Sequence, residues 1–222
     1  IRDRNDIPAV AIVDPELMYS MPKGLTAATG MDALTHAIES YITPGAWVMS
    51  DMFELKAIEM IAQNLKAAVD NGKDVAAREA MSQAQYIAGM GFSNVGLGIV
   101  HSMAHPLGAF YDTPHGVANA LLLPYVMEYN AESPAAPKYI HIAKAMGVDT
   151  TGMSEAEGVK AAIEAVKALS ISINIPQKLH EINVKEEDIP ALAVAAFNDV
   201  CTGGNPRPTS VADIEALYHK AF

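Results

Sequence analysis

The sequence predicts a mainly α-helical fold, and two observations lead to this prediction. Half of the 222 residues are hydrophobic but only 6% are aromatic, and Ala and Met are abundant, a composition that favours helices over strands. Apolar residues also recur at three- and four-residue spacing along most of the chain, which is the pattern of one helix face. A chain of this length can bury one good-sized core.

The predicted helices follow one another from Asp32 onward. The first spans about four turns and ends before Pro44 and Gly45. The second is followed by Asn71-Gly72, a common helix stop, and Ser154 with Glu157 has the spacing of a capping box. The helices after the first are predicted over residues 47–70, 74–90, 95–105, 115–129, 134–146, 154–173, 186–199 and 210–221, with Pro106 and Gly108 interrupting the chain after the fourth range.

The start of the chain has a different pattern. Ala9 to Val13 is predicted as a short strand that leaves by a proline-bounded loop, and no other segment is predicted as a strand. A single strand cannot form a sheet. We therefore expect residues 1–22 to be a strand and linker left from an α/β domain that this chain does not contain, or a strand that pairs with another chain. Residues 23–222 are expected to form one all-helical domain.

Charge and cysteine content exclude several classes of partner. The formal net charge is −11, and no basic run is present, so nucleic acid and anionic membranes are not expected partners. The single cysteine, Cys201, excludes an internal disulfide and is compatible with a reducing cytosol. No apolar run approaches the ~18 residues that a membrane-spanning helix needs. These features predict a cytoplasmic protein.

Three of the seven histidines lie between Asn94 and Gly116. His101 and His105 are separated by one helical turn, and His115 is expected at the start of the next helix, behind Pro114. A lone buried histidine is usually a hydrogen-bonded core residue. Three together among Gly, Ala and Ser residues predict a polar pocket in which a metal ion satisfies the imidazoles.

Asp32 and His36 repeat the one-turn spacing in an earlier helix. Alone, this pair is weak evidence for a metal site, because an aspartate near a helix N-terminus is usually favoured by the helix dipole. Combined with the histidine stretch, it gives a carboxylate and several imidazoles, a donor set that suits Fe(II) or Zn. An open position on such an ion can polarise a substrate oxygen or activate water, and the spacing alone does not decide between these reactions.

Other motifs are absent or uninformative. The sequence has no phosphate-binding GxxxxGK[ST] loop, no HExxH, no GxSxG and no dinucleotide fingerprint behind a strand. The remaining histidines, His141, His180 and His219, stand singly on amphipathic helices and are expected on the solvated face.

Two segments resemble a known family. GMDALTHAIESYI, followed by GLGIVHSMAHPLGAFYDTPHGVANALLLP, resembles the iron-containing (group III) alcohol dehydrogenases, and CTGGNPR is similar to the lactaldehyde reductase (1,2-propanediol oxidoreductase) branch of that family. The resemblance covers essentially the whole chain. It implies an all-helical, metal-binding C-terminal domain of the dehydroquinate synthase-like type. The α/β domain that holds NAD in such enzymes would precede this chain.

The resemblance also assigns roles to individual residues. His105 would lie between the metal and the nicotinamide and relay a proton. Phe92 and Cys201 would line the alcohol pocket and Leu25 would approach the nicotinamide, although all three suit ordinary packing equally well. The metal ligands implied by the family pattern are Asp32, His36, His101 and His115.

The implied function is that of the catalytic metal-binding part of an NAD-dependent alcohol dehydrogenase or aldehyde reductase. Fe(II) is the expected ion, with Zn as the alternative, and the substrate is a small alcohol or aldehyde. The chain by itself is expected to bind metal without dehydrogenase activity, because the nucleotide-binding loop is missing. Two other functions stay open, a self-sufficient helical metal-dependent hydrolase and a non-catalytic metal-binding fragment. The resemblance also allows a homodimer.

Overall fold

The computed structural model describes residue 5 and residues 7–222, and this part of the chain folds into nine α-helices without a strand. The predicted mainly α-helical fold is therefore confirmed. None of these helices is both long enough and apolar enough to cross a membrane. The helices are α1 (Lys23–Ile42), α2 (Val48–Asp70), α3 (Val75–Val95), α4 (Ile99–Tyr111), α5 (His115–Asn130), α6 (Tyr139–Ala145), α7 (Glu155–Ser172), α8 (Ile189–Phe197) and α9 (Val211–Ala221).

Helix α1 is the centre of the fold. It packs against α2, α3 and α5, and 14 of its 20 residues are buried, including Met31, Leu34 and Ile38. A helix that is apolar on nearly every side is stable only inside a core. The buried polar side chains of α1, such as Thr35, Glu39 and Ser40, therefore need partners inside the protein.

Helix α1 begins at Lys23, well before the predicted start at Asp32. The small residues from 26 to 30 belong to the helix and not to a loop before it, because they allow α1 to pack closely against its neighbours. A Cβ on Gly30 would lie 2.2 Å from Leu65 Cδ1, so this glycine lets α1 and α2 approach closely. Asp32 thus lies in the middle of the helix, and the dipole of a helix N-terminus does not explain its presence.

The predicted break at Pro106 is wrong, since α4 continues through this residue to Tyr111. Proline costs a helix interior about 3 kcal/mol, and burial of Met103 and Leu107 beside it offsets that cost. The break comes earlier, at Gly96, whose φ of 92° is a left-handed value that glycine adopts without strain. Helix α3 accordingly extends to Val95, past its predicted end.

The predicted strand from Ala9 to Val13 is not formed in this structure. Its apolar side chains are exposed, with Ile12 at 89%. A strand needs the backbone of a neighbouring strand to hydrogen-bond, and the described chain offers none. The assignment of residues 1–22 to another domain stays a prediction, and part of it lies outside the described residues.

A buried carboxyl group lies behind α1. Glu54 of α2 is fully buried, and its carboxyl oxygens have no hydrogen-bond partner among the described residues. It fits against Gly91 of α3, where a Cβ would lie 1.9 Å from Glu54 Oε1. Burial raises the pKa of Glu54 to about 8, although the nearby Ser40 hydroxyl acts in the opposite direction. At neutral pH Glu54 is therefore mainly protonated.

This raised pKa predicts a pH-dependent stability. The folded state holds the Glu54 proton more tightly than the unfolded chain, so its contribution is complete below about pH 4.5 and falls by up to about 1.4 kcal/mol per pH unit as the pH rises toward 8. Glu54→Gln keeps the shape without the charge. We expect it to be more stable than wild type at pH 8 and similar at pH 5, in urea unfolding followed by circular dichroism.

The matched control is Glu164→Gln, at an exposed glutamate of α7. Its unfolding free energy should follow the wild-type pH dependence. If the curves of wild type and Glu54→Gln run parallel from pH 5 to pH 8, Glu54 does not ionise in the way that its burial requires.

Candidate metal centre

Three helices bring the four predicted metal ligands together. Asp32 and His36 project from successive turns of α1, while His101 comes from the first turn of α4 and His115 is the first residue of α5. The measured separations are 3.1 Å between the Nε2 atoms of His36 and His101, 3.8 Å from His101 Nε2 to Asp32 Oδ1, and 3.6 Å from His115 Nε2 to Asp32 Oδ1.

These separations fit the donor spacing around one small ion. Ligand atoms at about 2.0–2.2 Å from a four-coordinate divalent ion lie about 3.3–3.6 Å from one another. The distances of 3.1, 3.6 and 3.8 Å in the structure bracket this range. Asp32, His101 and His115 already place their donor atoms within 4.8 Å of one another, and His36 Nε2 adjoins this group through its 3.1 Å approach to His101 Nε2.

The hydrogen bonds of His36 and His101 fix which nitrogen faces the centre. His36 Nδ1 donates to the Asp32 backbone carbonyl at 2.9 Å, and His101 Nδ1 donates to Glu39 Oε2 at 2.6 Å. Each neutral ring then carries its lone pair on Nε2. Two lone pairs that face each other at 3.1 Å repel unless a cation or a proton lies between them. This arrangement is the clearest sign that the centre is built for a cation.

Burial keeps the imidazoles of His36 and His115 neutral. It is the main reason that the pKa of His36 is lowered to about 4, and the neighbouring His101 lowers it further while Asp32 acts against the shift. Burial also lowers the pKa of His115, again partly offset by Asp32. Neutral imidazole is the form that binds metal. Both side chains are therefore ready to donate a lone pair at neutral pH.

Glu39 supports His101 from behind. It is buried on α1, one turn beyond His36, and its Oε1 accepts a hydrogen bond from the Val100 backbone N–H at 2.7 Å. The same carboxylate thus caps the start of α4 and orients the His101 ring. Gly98 makes room for it, since a Cβ there would lie 2.9 Å from Glu39 Oε1.

Glu39→Gln should lower metal affinity by about 10- to 100-fold, the range found for carboxylates that orient metal-binding histidines. An amide group facing His101 Nδ1 can donate a hydrogen bond, which favours the tautomer with a proton on Nε2, where the metal would bind. Chelator competition with Zn²⁺ measures the affinity. Unchanged affinity in a correctly folded variant would show that Glu39 serves only the packing of α4.

Asn119 connects α5 to α1. Its side-chain amide donates to Asp32 Oδ1 at 2.6 Å and approaches His115 Nε2 at 3.0 Å, and the residue is fully buried. Gly116, beside His115, permits the close approach, because a Cβ there would lie 2.4 Å from the Ala28 backbone oxygen. The position of the fourth predicted ligand therefore depends on tight contact between the two helices.

His105 lies beside this centre rather than in it. Its ring stacks on His115 with centroids 5.4 Å apart, its side chain is 42% exposed, and its Nδ1 donates to Asp199 Oδ2 at 2.7 Å. Burial would raise the pKa of Asp199, but bonds from the Cys201 backbone and from His105 lower it on balance. His105 is thus held by a carboxylate and open to solvent on one side.

The other predicted site residues lie around the centre at different distances. Phe92 stacks on His36 with ring centroids 4.5 Å apart, while Leu25 is 49% exposed in the first turn of α1. A cavity of about 490 Å³ adjoins Asp32 and His36, and its wall includes Phe92. His141, His180 and His219 are exposed and outside the centre.

Three supporting residues were not predicted from the sequence, namely Glu39, Asn119 and Asp199. Glu39 could have been predicted from its spacing, since a carboxylate seven residues after Asp32 lies on the same face of the helix. Asn119 lies one turn after His115, and this spacing also places the two residues on the same helix face. Asp199 has no local signal, because its partner His105 is 94 residues away.

Comparisons with known proteins identify the family of this chain. Residues 26–222 match the model of the Fe-containing alcohol dehydrogenase family, C-terminal. The chain is 59% identical over 220 residues to the lactaldehyde reductase of Escherichia coli K12, covering 99% of this chain and 57% of that protein. It is 46% identical to the NAD-dependent methanol dehydrogenase of Bacillus methanolicus, covering 99% and 58% of the two chains.

Solved structures give the same result. A 1,3-propanediol oxidoreductase superposes with a TM-score of 0.95 at 47% identity, over 97% of this chain and 56% of that one. The alcohol dehydrogenase from Oenococcus oeni gives 0.92 at 42% identity, over 94% and 54%. The chain spans little more than half the length of these relatives. It belongs to the Fe-containing alcohol dehydrogenase family and matches the C-terminal domain of its members.

Proposed function

We propose that this chain is the metal-binding catalytic part of an NAD-dependent alcohol dehydrogenase or aldehyde reductase of the lactaldehyde reductase kind. The observation that carries the proposal is the convergence of Asp32, His101 and His115, whose donor atoms lie within 4.8 Å of one another, with His36 Nε2 3.1 Å from His101 Nε2. Three imidazoles and one carboxylate suit Fe(II), with Zn as the alternative. When bound, the ion supplies a Lewis acid for the alcohol or aldehyde oxygen, and NAD accepts or returns the hydride.

The protein's own residues would position the substrate. The cavity beside Asp32 and His36 has an apolar wall that includes Met21, Met81 and Phe92, which suits the carbon chain of a small alcohol. Thr29 and Gln85 add polar groups to the same wall. A small diol or hydroxyaldehyde, with one apolar end and a second hydroxyl, matches this mixture.

His105 would move the proton that accompanies the oxidation. Asp199 holds its Nδ1–H, so the Nε2 of the neutral ring can accept a proton, and the carboxylate stabilises the resulting imidazolium. The partial exposure of the ring lets the proton pass on to water. Leu25, on the exposed first turn of α1, would contact the nicotinamide that another domain supplies.

The test is a fusion of the N-terminal part of the Escherichia coli lactaldehyde reductase to this chain. Loaded with Fe²⁺ without oxygen, the fusion should oxidise NADH in the presence of lactaldehyde, whereas this chain alone should not. The same fusion carrying His101→Ala should be inactive, and one carrying His219→Ala at an exposed position should be active. A folded, metal-loaded fusion without turnover would contradict the proposal. Hydrolysis of phosphate esters by this chain alone would instead favour the hydrolase.

A further inference from the structure

Beside the proposed metal centre, a second group of metal-binding side chains is present. His105, Asp199 and Cys201 each offer one donor atom, and these atoms lie within 4.8 Å of one another. The group combines an imidazole, a carboxylate and a thiol, whereas the first centre has no sulfur ligand. We propose that His105, Asp199 and Cys201 form a second, separate binding site for a thiophilic divalent ion such as Zn²⁺.

The backbone holds the two loop ligands in place. Asp199 and Cys201 lie in the turn after α8, where Asp199 Oδ1 accepts a hydrogen bond from the Cys201 backbone N–H at 2.8 Å. Both side chains face the same group, while Val200 between them is 91% exposed. The spacing Asp-x-Cys thus presents two ligands from one rigid turn. Asp199 Oδ2 points to His105 and can bind an ion there.

A hydrogen bond from Thr202 fixes this turn against α4. The Thr202 hydroxyl bonds to Ser102 Oγ at 2.8 Å and also to the Ala196 carbonyl at 2.8 Å. Ser102 lies one turn before His105 along α4. The loop ligands and the helix ligand are therefore held together before any ion binds, which lowers the entropic cost of binding.

The ligands of the second site can balance the charge of the ion that it binds. Binding of a divalent ion releases the Cys201 thiol proton, and the thiolate and the Asp199 carboxylate then neutralise the two positive charges of the ion. The loaded second site is therefore neutral overall. Because a thiolate prefers Zn²⁺ to Mg²⁺ or Ca²⁺ and the residues are only partly buried, a small borderline-soft ion with one water ligand fits best.

An ion in the second site could also inhibit the proposed reaction. An ion shared with Asp199 would bind His105 at Nδ1, which faces that carboxylate, and the ring proton would then be on Nε2. His105 would thus lose the Nε2 lone pair that the proposed function uses for proton transfer. This consequence rests on the proposed function, but the binding of the ion does not, and the experiment measures binding alone.

The experiment titrates the metal-free chain with Co²⁺ in the absence of oxygen. The first equivalent should bind without a thiolate band, and the second should produce a thiolate-to-cobalt charge-transfer band in the near ultraviolet. Cys201→Ser should bind one equivalent and lack the band, with circular dichroism as the check on folding. His36→Ala, which damages the first centre, should keep the band.

A second measurement does not require a variant. Zn²⁺ at two equivalents should slow the reaction of iodoacetamide with Cys201 at least about tenfold, since a bound thiolate is protected. The proposal is overturned if Co²⁺ gives no thiolate band, if the band disappears in His36→Ala, or if Zn²⁺ leaves the rate of alkylation unchanged. None of these results would affect the proposed function, because the first centre contains no thiolate.

Discussion

His101→Ala is expected to reduce the affinity of the chain for Fe²⁺ or Zn²⁺ by more than about 100-fold, since loss of a ligand should exceed the 10- to 100-fold effect of losing a residue that only orients one. His101 is 2% exposed and lies nearest to the middle of the donor set, within 3.1 Å of His36 Nε2 and 3.8 Å of Asp32 Oδ1. Its removal also leaves Glu39 without one of its hydrogen-bond donors. Chelator competition under nitrogen measures the affinity.

The control is His219→Ala, because His219 is exposed on α9 and contacts only Glu186 at 3.6 Å among its charged neighbours in the described chain. This variant should bind metal as the wild type does. A second reading comes from thermal unfolding, in which Fe²⁺ or Zn²⁺ should raise the melting temperature of wild type but not of His101→Ala or Asp32→Ala. Equal metal-induced shifts in all these proteins would contradict the assignment of the ligands.

Gly116→Ala is expected to disrupt the centre without removing a ligand. The added Cβ would lie 2.4 Å from the Ala28 backbone oxygen and 2.7 Å from its carbonyl carbon, so α5 must move away from α1. Overpacking of this kind typically costs about 1–3 kcal/mol. Because His115 and Asn119 move with α5, metal affinity should fall by at least about 10-fold. Urea unfolding and chelator competition measure the two effects.

The matched control for this substitution is Gly89→Ala. Gly89 lies inside α3, and a Cβ there meets nothing within 4 Å. Alanine in a helix interior should stabilise the fold by about 0.5–1 kcal/mol relative to glycine. If Gly116→Ala has wild-type stability and affinity, the close contact of α5 with α1 does not control the centre.

The helices and the two one-turn pairs, Asp32 with His36 and His101 with His105, could be predicted from the sequence because helical spacing is a local property. The choice of His101 and His115 as ligands, with His105 beside the metal, came from the family resemblance. Residues one turn apart lie on one face of a helix however the helices pack. The spacing of Asp32 and His36 therefore predicted that they face the same way before the fold was known. The donor types suggested that the helix with Asp32 and His36 meets the histidine stretch. The distances between the donor atoms could not be predicted, because they depend on how α1, α4 and α5 pack.

The errors have a physical basis as well. Tertiary packing overrode local preference at Pro106, where the buried neighbours of α4 kept the helix continuous. It also did so at Gly30, which lies inside α1 at a close contact with Leu65 of α2, whereas the helix was predicted to begin at Asp32. The contact of His105 with Asp199, which are 94 residues apart, depends on how distant segments pack and has no signal within one segment.

The central claim is that Asp32, His36, His101 and His115 bind one divalent ion. The most direct test is anomalous diffraction from crystals of this chain grown without oxygen with one equivalent of Fe²⁺. We predict a single strong iron peak within about 2.0–2.3 Å of one carboxylate oxygen and three imidazole nitrogens from these residues. An ordered centre with no iron peak, or a peak bound by other side chains, would contradict the claim.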